Sequence, residues 1–177
     1  MPKRHVFLHI GPDAVELDDE ARAQLAAGGV STPDVSRADL DRADLEIRRI
    51  HKSAGLKRKQ VEGAWARACR KTFRTRADAF ISQPGFWEAD ADQAALALDG
   101  LHGLKVHLVS TGAGELPAAW SEKVKPGRIH LLDGNLSGAT LAAEVVRLSL
   151  TEEKARLDTS LLKLKKRRKQ LKSELAA

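Results

Sequence analysis

The sequence has no tyrosine, a single cysteine and only 4% aromatic residues among its 177 residues. One cysteine excludes an internal disulfide and a multi-cysteine zinc site, and it is typical of a reducing compartment. No apolar run approaches the roughly 20 residues that span a bilayer, and the apolar stretch at residues 6–10 is too short for a signal peptide. We therefore expect a soluble cytoplasmic protein, long enough to bury one core.

Positive charge is concentrated in two segments of the chain. Residues 48–76 hold 11 basic residues and 1 acidic residue, and residues 151–177 hold 9 basic and 4 acidic residues. Two such blocks favour a polyanionic partner, such as RNA, DNA or a ribonucleoprotein. The alternative for each block taken alone is that its basic side chains lie on a helix face in contact with water. No helix-turn-helix, zinc-finger or RNA-binding signature accompanies them, so we expect contacts to a nucleic-acid backbone rather than to bases.

Short apolar segments alternate with helical patterns along residues 1–148. Strand patterns occur at residues 5–10, 79–82, 104–110 and 129–132. Helical patterns occupy residues 17–27, 56–73, 90–98 and 138–148. Two further helical patterns follow Ser36, which can cap a helix that begins at Arg37, and surround Trp120. Strands that alternate with helices predict an α/β domain, a small parallel sheet with helices on both faces.

The last segment, residues 149–177, follows a different pattern. Leucines repeat in it at a strict seven-residue spacing, at Leu150, Leu157, Leu164 and Leu171. Leu161 and Leu175 fill two of the intervening positions on the same stripe. Ser149 and Glu152 fit a capping box, which predicts that a long, basic, coiled-coil-like helix begins there. Lys154 and Arg168 interrupt the stripe with charge. A homodimer through these leucines and packing of the stripe on its own domain are equal alternatives.

Several segments resemble, in order, the bacterial P-loop sulfotransferase family. Val6-Phe-Leu-His-Ile-Gly11-Pro12 resembles the strand and turn that precede the family's phosphate loop. The strongest match is Leu116-Pro-Ala-Ala-Trp-Ser-Glu-Lys-Val-Lys125, which is similar to the family's L-P-x-x-W-x-x-x-V-K stretch. Further segments similar to the family are Ala26-Ala-Gly-Gly-Val30, Phe80-Ile-Ser82, Ala89-Asp-Ala-Asp-Gln-Ala-Ala95 and Leu104-Lys-Val-His-Leu-Val-Ser-Thr111. The resemblance covers residues 5–127 and implies a P-loop core, which in that family binds the sulfo donor PAPS.

Both donor-binding motifs of that family are absent. Its phosphate loop needs a lysine and a Gly-Ser/Thr run at a helix N-terminus, but here Gly11-Pro12 is followed by Asp13-Ala-Val-Glu-Leu-Asp-Asp-Glu20. Thr111-Gly-Ala-Gly114 stands where the family has T-x-R-D. The resemblance therefore implies a degenerate, shortened core with no catalytic residue and no cofactor, and a transferase with an atypical donor site is the alternative.

No spacing typical of a metal or nucleophilic site occurs elsewhere in the chain. The histidines are scattered, and His5 and His9 lie on one strand face about 13 Å apart, too far to share a metal ion. Cys69 lies among basic residues that favour its thiolate. It has no identifiable base partner, and a buried helix cysteine is the commoner explanation.

The predicted function is therefore that of a non-catalytic binding or adaptor protein for an anionic macromolecule. The residues predicted to bind it are Lys57, Arg58, Lys59, Arg70, Lys71, Arg74, Lys165, Lys166, Arg167, Arg168 and Lys169. A self-associating interaction protein, in which the leucine helix joins copies and the charges serve solubility, is the other alternative. No membrane partner is expected.

Overall fold

The computed structural model describes residues 3–12, 14–112, 115–132, 134 and 136–175. They form an α/β fold around a parallel sheet with the strand order β2-β3-β1-β4-β5. The strands are β1 (His5–Ile10), β2 (Val30–Ser31), β3 (Asp78–Ser82), β4 (Lys105–Thr111) and β5 (Ile129–Leu132). The predicted parallel α/β sheet is thus confirmed, although the sequence analysis did not predict β2. No helix in the described part of the chain has both the length and the hydropathy to cross a bilayer.

Helices connect the strands and cover the sheet. They are α1 (Asp19–Ala27), α2 (Arg37–Ile47), α3 (Arg58–Val61), α4 (Ala64–Arg74), α5 (Ala91–Asp99), α6 (Ala118–Ser121) and α7 (Gly138–Leu175). The cap predicted at Ser36 is confirmed, because its side-chain oxygen accepts a hydrogen bond from the backbone N–H of Asp39 at 3.1 Å. Side chains at helix starts satisfy backbone donors that have no partner inside the helix.

β1 is the central strand, and all six of its residues are buried. A parallel strand with helices on both faces is apolar on both sides, which explains the uninterrupted apolar run in the sequence. Val6, Leu8 and Ile10 lie in one core with α2, α4, α5 and α6. Phe7 lies in the other core with α1 and α7. The sheet therefore separates two helix layers.

The single helix predicted over residues 56–73 is wrong. α3 ends at Val61 and α4 begins at Ala64, because Gly63 between them has a φ of 74°. Glycine adopts this left-handed conformation without steric cost. The backbone N–H groups of Gly63 and Trp65 both donate to the Glu46 carboxylate, at 2.6 and 2.8 Å, so α2 supports the break.

The helix start predicted at Ser149 is also wrong. α7 runs from Gly138 to Leu175 without a break, a length of 38 residues or about 57 Å. Ser149 lies in its interior and caps nothing. It is buried, and its Oγ donates to the Asp78 carboxylate at 3.0 Å, which joins α7 to the first residue of β3.

Candidate functional site

The carboxyl ends of β1, β3 and β4 lie side by side, the usual position for a ligand in an open α/β sheet. His9 is fully buried there, with Nδ1 at 2.9 Å from Ser82 Oγ and Nε2 at 3.1 Å from Thr111 Oγ1. Burial lowers the pKa of His9 to about 4, so its ring is neutral at pH 7. Hydrogen bonds between side chains therefore join the carboxyl ends of β1, β3 and β4. Two segments of this edge were compared above with the donor-binding motifs of the sulfotransferase family. Three of their residues, Asp13, Ala113 and Gly114, lie outside the described residues.

A cavity of about 460 Å³ opens beside that edge, between the end of β3 and helices α1, α2 and α4. Both arginines in its lining have partners within the protein. Arg22 Nε donates to the Leu17 carbonyl at 3.2 Å, and Arg37 Nε pairs with Asp41 at 2.9 Å. Glu16 adds a negative charge to the wall. The described lining contains no lysine, the residue that a phosphate loop uses to bind its nucleotide.

The basic side chains of residues 48–76 are spread over a broken helical segment. Arg70 and Arg74 are exposed on α4, and Lys57, Arg58 and Lys59 are exposed at α3. Lys71 is half-buried, and its Nζ donates to the backbone carbonyl of Asp34. The structure therefore leaves five of the six predicted anion-binding residues of this segment accessible to a partner, on two separate helices.

Helix α7 leaves the sheet after Glu152 and continues as a free-standing helix over residues 153–175. Every residue in that range is exposed. It contains the other five predicted anion-binding residues: Lys165, Lys166, Arg167, Arg168 and Lys169. None of these five takes part in an ion pair within the described part of the chain. Consecutive residues point about 100° apart on a helix, so their charge surrounds the helix axis.

The leucine stripe of α7 does not pack on its own domain. The exposed fractions of its members are 53%, 57%, 50%, 68%, 42% and 87% for Leu150, Leu157, Leu161, Leu164, Leu171 and Leu175. The face of α7 that packs on the sheet contains Leu141, Val145 and Leu148 instead. At about 100° per residue, the leucine stripe lies about 150° around the helix from that face. Extending α7 beyond the sheet therefore cannot bring the leucines back onto this core.

A cluster of histidines that the sequence analysis did not find lies at the opposite, amino-terminal edge of the sheet. His5 Nδ1 is 2.9 Å from His107 Nε2, and His107 Nδ1 is 3.0 Å from His130 Nε2. The three residues come from β1, β4 and β5, and they face α7. Glu152 of that helix reaches the cluster, with Oε2 at 3.8 Å from His5 Nδ1.

Burial keeps this cluster neutral. Burial, together with the proximity of His5 and His130, lowers the pKa of His107 to about 3. Burial is also the main cause of the lowered pKa values of His5 and His130. Unprotonated imidazole carries a lone pair, which can accept a hydrogen bond or coordinate a metal ion.

The cluster could be predicted from the sequence only if the pairing register of the strands were known. The pairing places Phe7 directly opposite His107 and Val109 opposite His130. His5 and His107 are separated by 102 positions in the sequence. Their motif is therefore a property of the sheet register, which the spacing of the histidines along the chain does not contain.

No protein-family model, no curated protein and no solved structure matches this chain.

Proposed function

We propose that this protein is a non-catalytic binding protein for an anionic macromolecule, such as RNA, DNA or a ribonucleoprotein. The observation that carries this proposal is the free-standing part of α7, residues 153–175, which is exposed throughout. Residues 163–172 of that part hold seven basic residues and no acidic one. A helical segment that buries none of its side chains on its own domain and concentrates positive charge is suited to binding a polyanion.

The distribution of charge around α7 favours phosphate contacts over base readout. Lys165, Arg168, Lys169 and Lys172 lie at spacings of three and four residues and so share one side of the helix. Lys163, Lys166 and Arg167 lie on other sides. Long flexible cations on several sides can follow a phosphate backbone, and such contacts give affinity without sequence specificity. The exposed Arg70 and Arg74 of α4 offer a second contact surface.

A sulfotransferase-like origin of the α/β core remains a hypothesis. It is supported by the order of the matching segments and by the parallel sheet in which β1 is central and Gly11 follows it. Catalysis is disfavoured, because the lysine and arginine that anchor the nucleotide in that family are missing from the corresponding segments. An unusual donor site would show itself as thermal stabilisation by PAPS.

The test is a titration of a fluorescent DNA or RNA duplex at several salt concentrations. Log affinity is expected to fall linearly with log salt, with a slope of about −0.9 per neutralised phosphate on a duplex. The variant Lys165→Gln/Lys169→Gln removes two charges from one side of α7 and should reduce the slope by up to about 1.8. The matched control is Lys123→Gln/Lys125→Gln, which removes two exposed charges elsewhere. Equal effects of both variants, or no binding at low salt, would contradict the proposal.

The exposed leucine stripe favours a second candidate function, self-association of two copies through α7. Charge along the helix selects an antiparallel arrangement. In a parallel coiled coil, the positions on either side of the leucine seam would place Glu153 beside Asp158 of the second copy, and Arg167 beside Lys172 of the second copy. Both pairs join charges of the same sign and would repel. An antiparallel pair that overlaps residues 150–175 places Asp158 beside Lys165 of the second copy and stacks Leu161 on Leu164. It also brings the basic end of each helix next to the less basic end of the other.

Sedimentation equilibrium tests this second candidate. Leu164→Asp lies in the stripe and should convert a dimer into a monomer. Leu162→Asp is the matched control, because Leu162 is 56% exposed but lies about 160° from Leu164 around the helix. A monomeric wild-type chain, or equal dissociation of both variants, would rule out the leucine interface. Polyanion binding does not depend on this result, because Lys163, Lys166 and Lys169 lie outside the stripe.

A further inference from the structure

The histidine cluster at the amino-terminal edge of the sheet has the dimensions of a metal site. His5 Nδ1, His107 Nε2 and a carboxylate oxygen of Glu152 all lie within 4.8 Å of one another. Zn²⁺ binds nitrogen and oxygen ligands at about 2.0–2.2 Å in a tetrahedron, so two of its ligand atoms lie about 3.3 Å apart. The separations of 2.9 Å between the two nitrogens and 3.8 Å between His5 Nδ1 and Glu152 Oε2 lie on either side of that value. Small side-chain rotations would make the three atoms equidistant from one ion.

The surroundings orient these groups as metal ligands. His107 is fully buried, and its Nδ1–H can donate to His130 Nε2 at 3.0 Å, which leaves a lone pair on Nε2, the atom that lies 2.9 Å from His5 Nδ1. A histidine ligand usually donates its other N–H to a neighbouring acceptor in this way.

The charges around the cluster also allow a dication. Asp78 accepts hydrogen bonds from the backbone N–H of His5 at 2.9 Å and from Ser149 Oγ at 3.0 Å, which holds a second carboxylate beside the site. Asp78 and Glu152 oppose the positive charges of Lys105 and Arg128, which also act on His5. The Glu152 side chain is 31% exposed, so water can reach the fourth position of the metal.

We propose that His5, His107 and Glu152 bind a divalent transition metal ion of the zinc type, with His130 as the positioning residue for His107 and water as the fourth ligand. Two histidines and one glutamate with an open fourth position form a set that zinc enzymes use. Because Glu152 is the last residue before the free-standing part of α7, the ion joins the base of that helix to β1 and β4. This inference is independent of polyanion binding.

Zinc titration of the untagged full-length chain, freed of metal with EDTA, tests the proposal. Calorimetry is expected to show one Zn²⁺ per chain, and Zn²⁺ at 100 times its Kd should raise the Tm by about 5–10 °C. Co²⁺ in the same site should give the strong visible absorption of a four-coordinate ion. His130→Gln should weaken Zn²⁺ binding about 10- to 100-fold, the usual effect of losing a group that orients a ligand.

Glu152→Gln removes one ligand from a partly exposed helical position, so the variant should fold. We expect it to bind Zn²⁺ more weakly than His130→Gln does. Glu153→Gln is the matched control on the next, exposed residue and should bind like the wild-type chain. Circular dichroism verifies that each variant is folded. Absence of stoichiometric binding to the wild-type chain would overturn the proposal, and so would equal affinities of the Glu152→Gln and Glu153→Gln variants.

Discussion

Replacing His9 with glutamine should make the fold less sensitive to acid. His9 has no exposed surface, and its two ring nitrogens contact Ser82 and Thr111 on the neighbouring strands. Burial lowers its pKa to about 4, because the charged imidazolium would lose its hydration. In the unfolded chain the ring is in water and has a pKa of about 6.5. The two states therefore bind protons differently between those two pH values.

The direction and size of the effect follow from this difference in pKa. As the pH falls below 6.5, the unfolded chain takes up a proton on His9 and the folded chain does not, so the free energy of unfolding decreases. The decrease is complete below about pH 4, where the folded chain is also protonated. A shift of about 2.5 pKa units corresponds to roughly 3 kcal/mol in total, of which about 2 kcal/mol is lost between pH 7 and pH 5.

Urea unfolding at pH 7 and pH 5 measures this effect. Between these pH values, the wild-type chain should lose about 2 kcal/mol more stability than the His9→Gln variant loses. Comparing the loss within each variant removes any cost of the substitution that does not depend on pH. His102→Gln is the control, because His102 is exposed in a turn. An equal loss in the wild-type chain and the His9→Gln variant would refute the reasoning.

Two further predictions concern the core between the sheet and α4. Gly100→Ala should destabilise the fold by about 1–3 kcal/mol, because a Cβ there would lie 2.6 Å from Trp65 Nε1. Gly127→Ala, where a Cβ meets nothing within 4 Å, should leave the urea midpoint nearly unchanged. Cys69 should react slowly with a thiol reagent until the chain unfolds, because burial raises its pKa to about 12. Fast labelling of the folded chain would contradict that expectation.

The sequence was sufficient to predict the α/β class and most of the element positions. β1, β3, β4 and β5 form where short apolar segments end at turn residues, because a buried parallel strand requires such a segment. The start of α2 was predictable because Ser36 caps it through a local hydrogen bond. The exposure of the basic residues of α7 agrees with their charge. Each of these features depends on residues close together in the chain.

Other features depend on contacts that local patterns do not contain. The break at Gly63 is supported by Glu46, which belongs to another helix. Ser149 has the local sequence of a cap, but its partner is Asp78 in β3. β2 has only two residues, Val30 and Ser31, and forms because it can pair with β3. In each case a distant residue supplies the interaction that decides the local conformation.

The sequence by itself determined the composition of the two basic segments, the period of the leucines and the strand–helix alternation. Only the tertiary structure decided which face of α7 meets the sheet, and so left Leu157 and Leu164 exposed. It also brought His5, His107 and Glu152 to one point. The physical reason is that a parallel sheet pairs strands through long crossover connections, so its register and the docking of α7 depend on the packing of the whole domain.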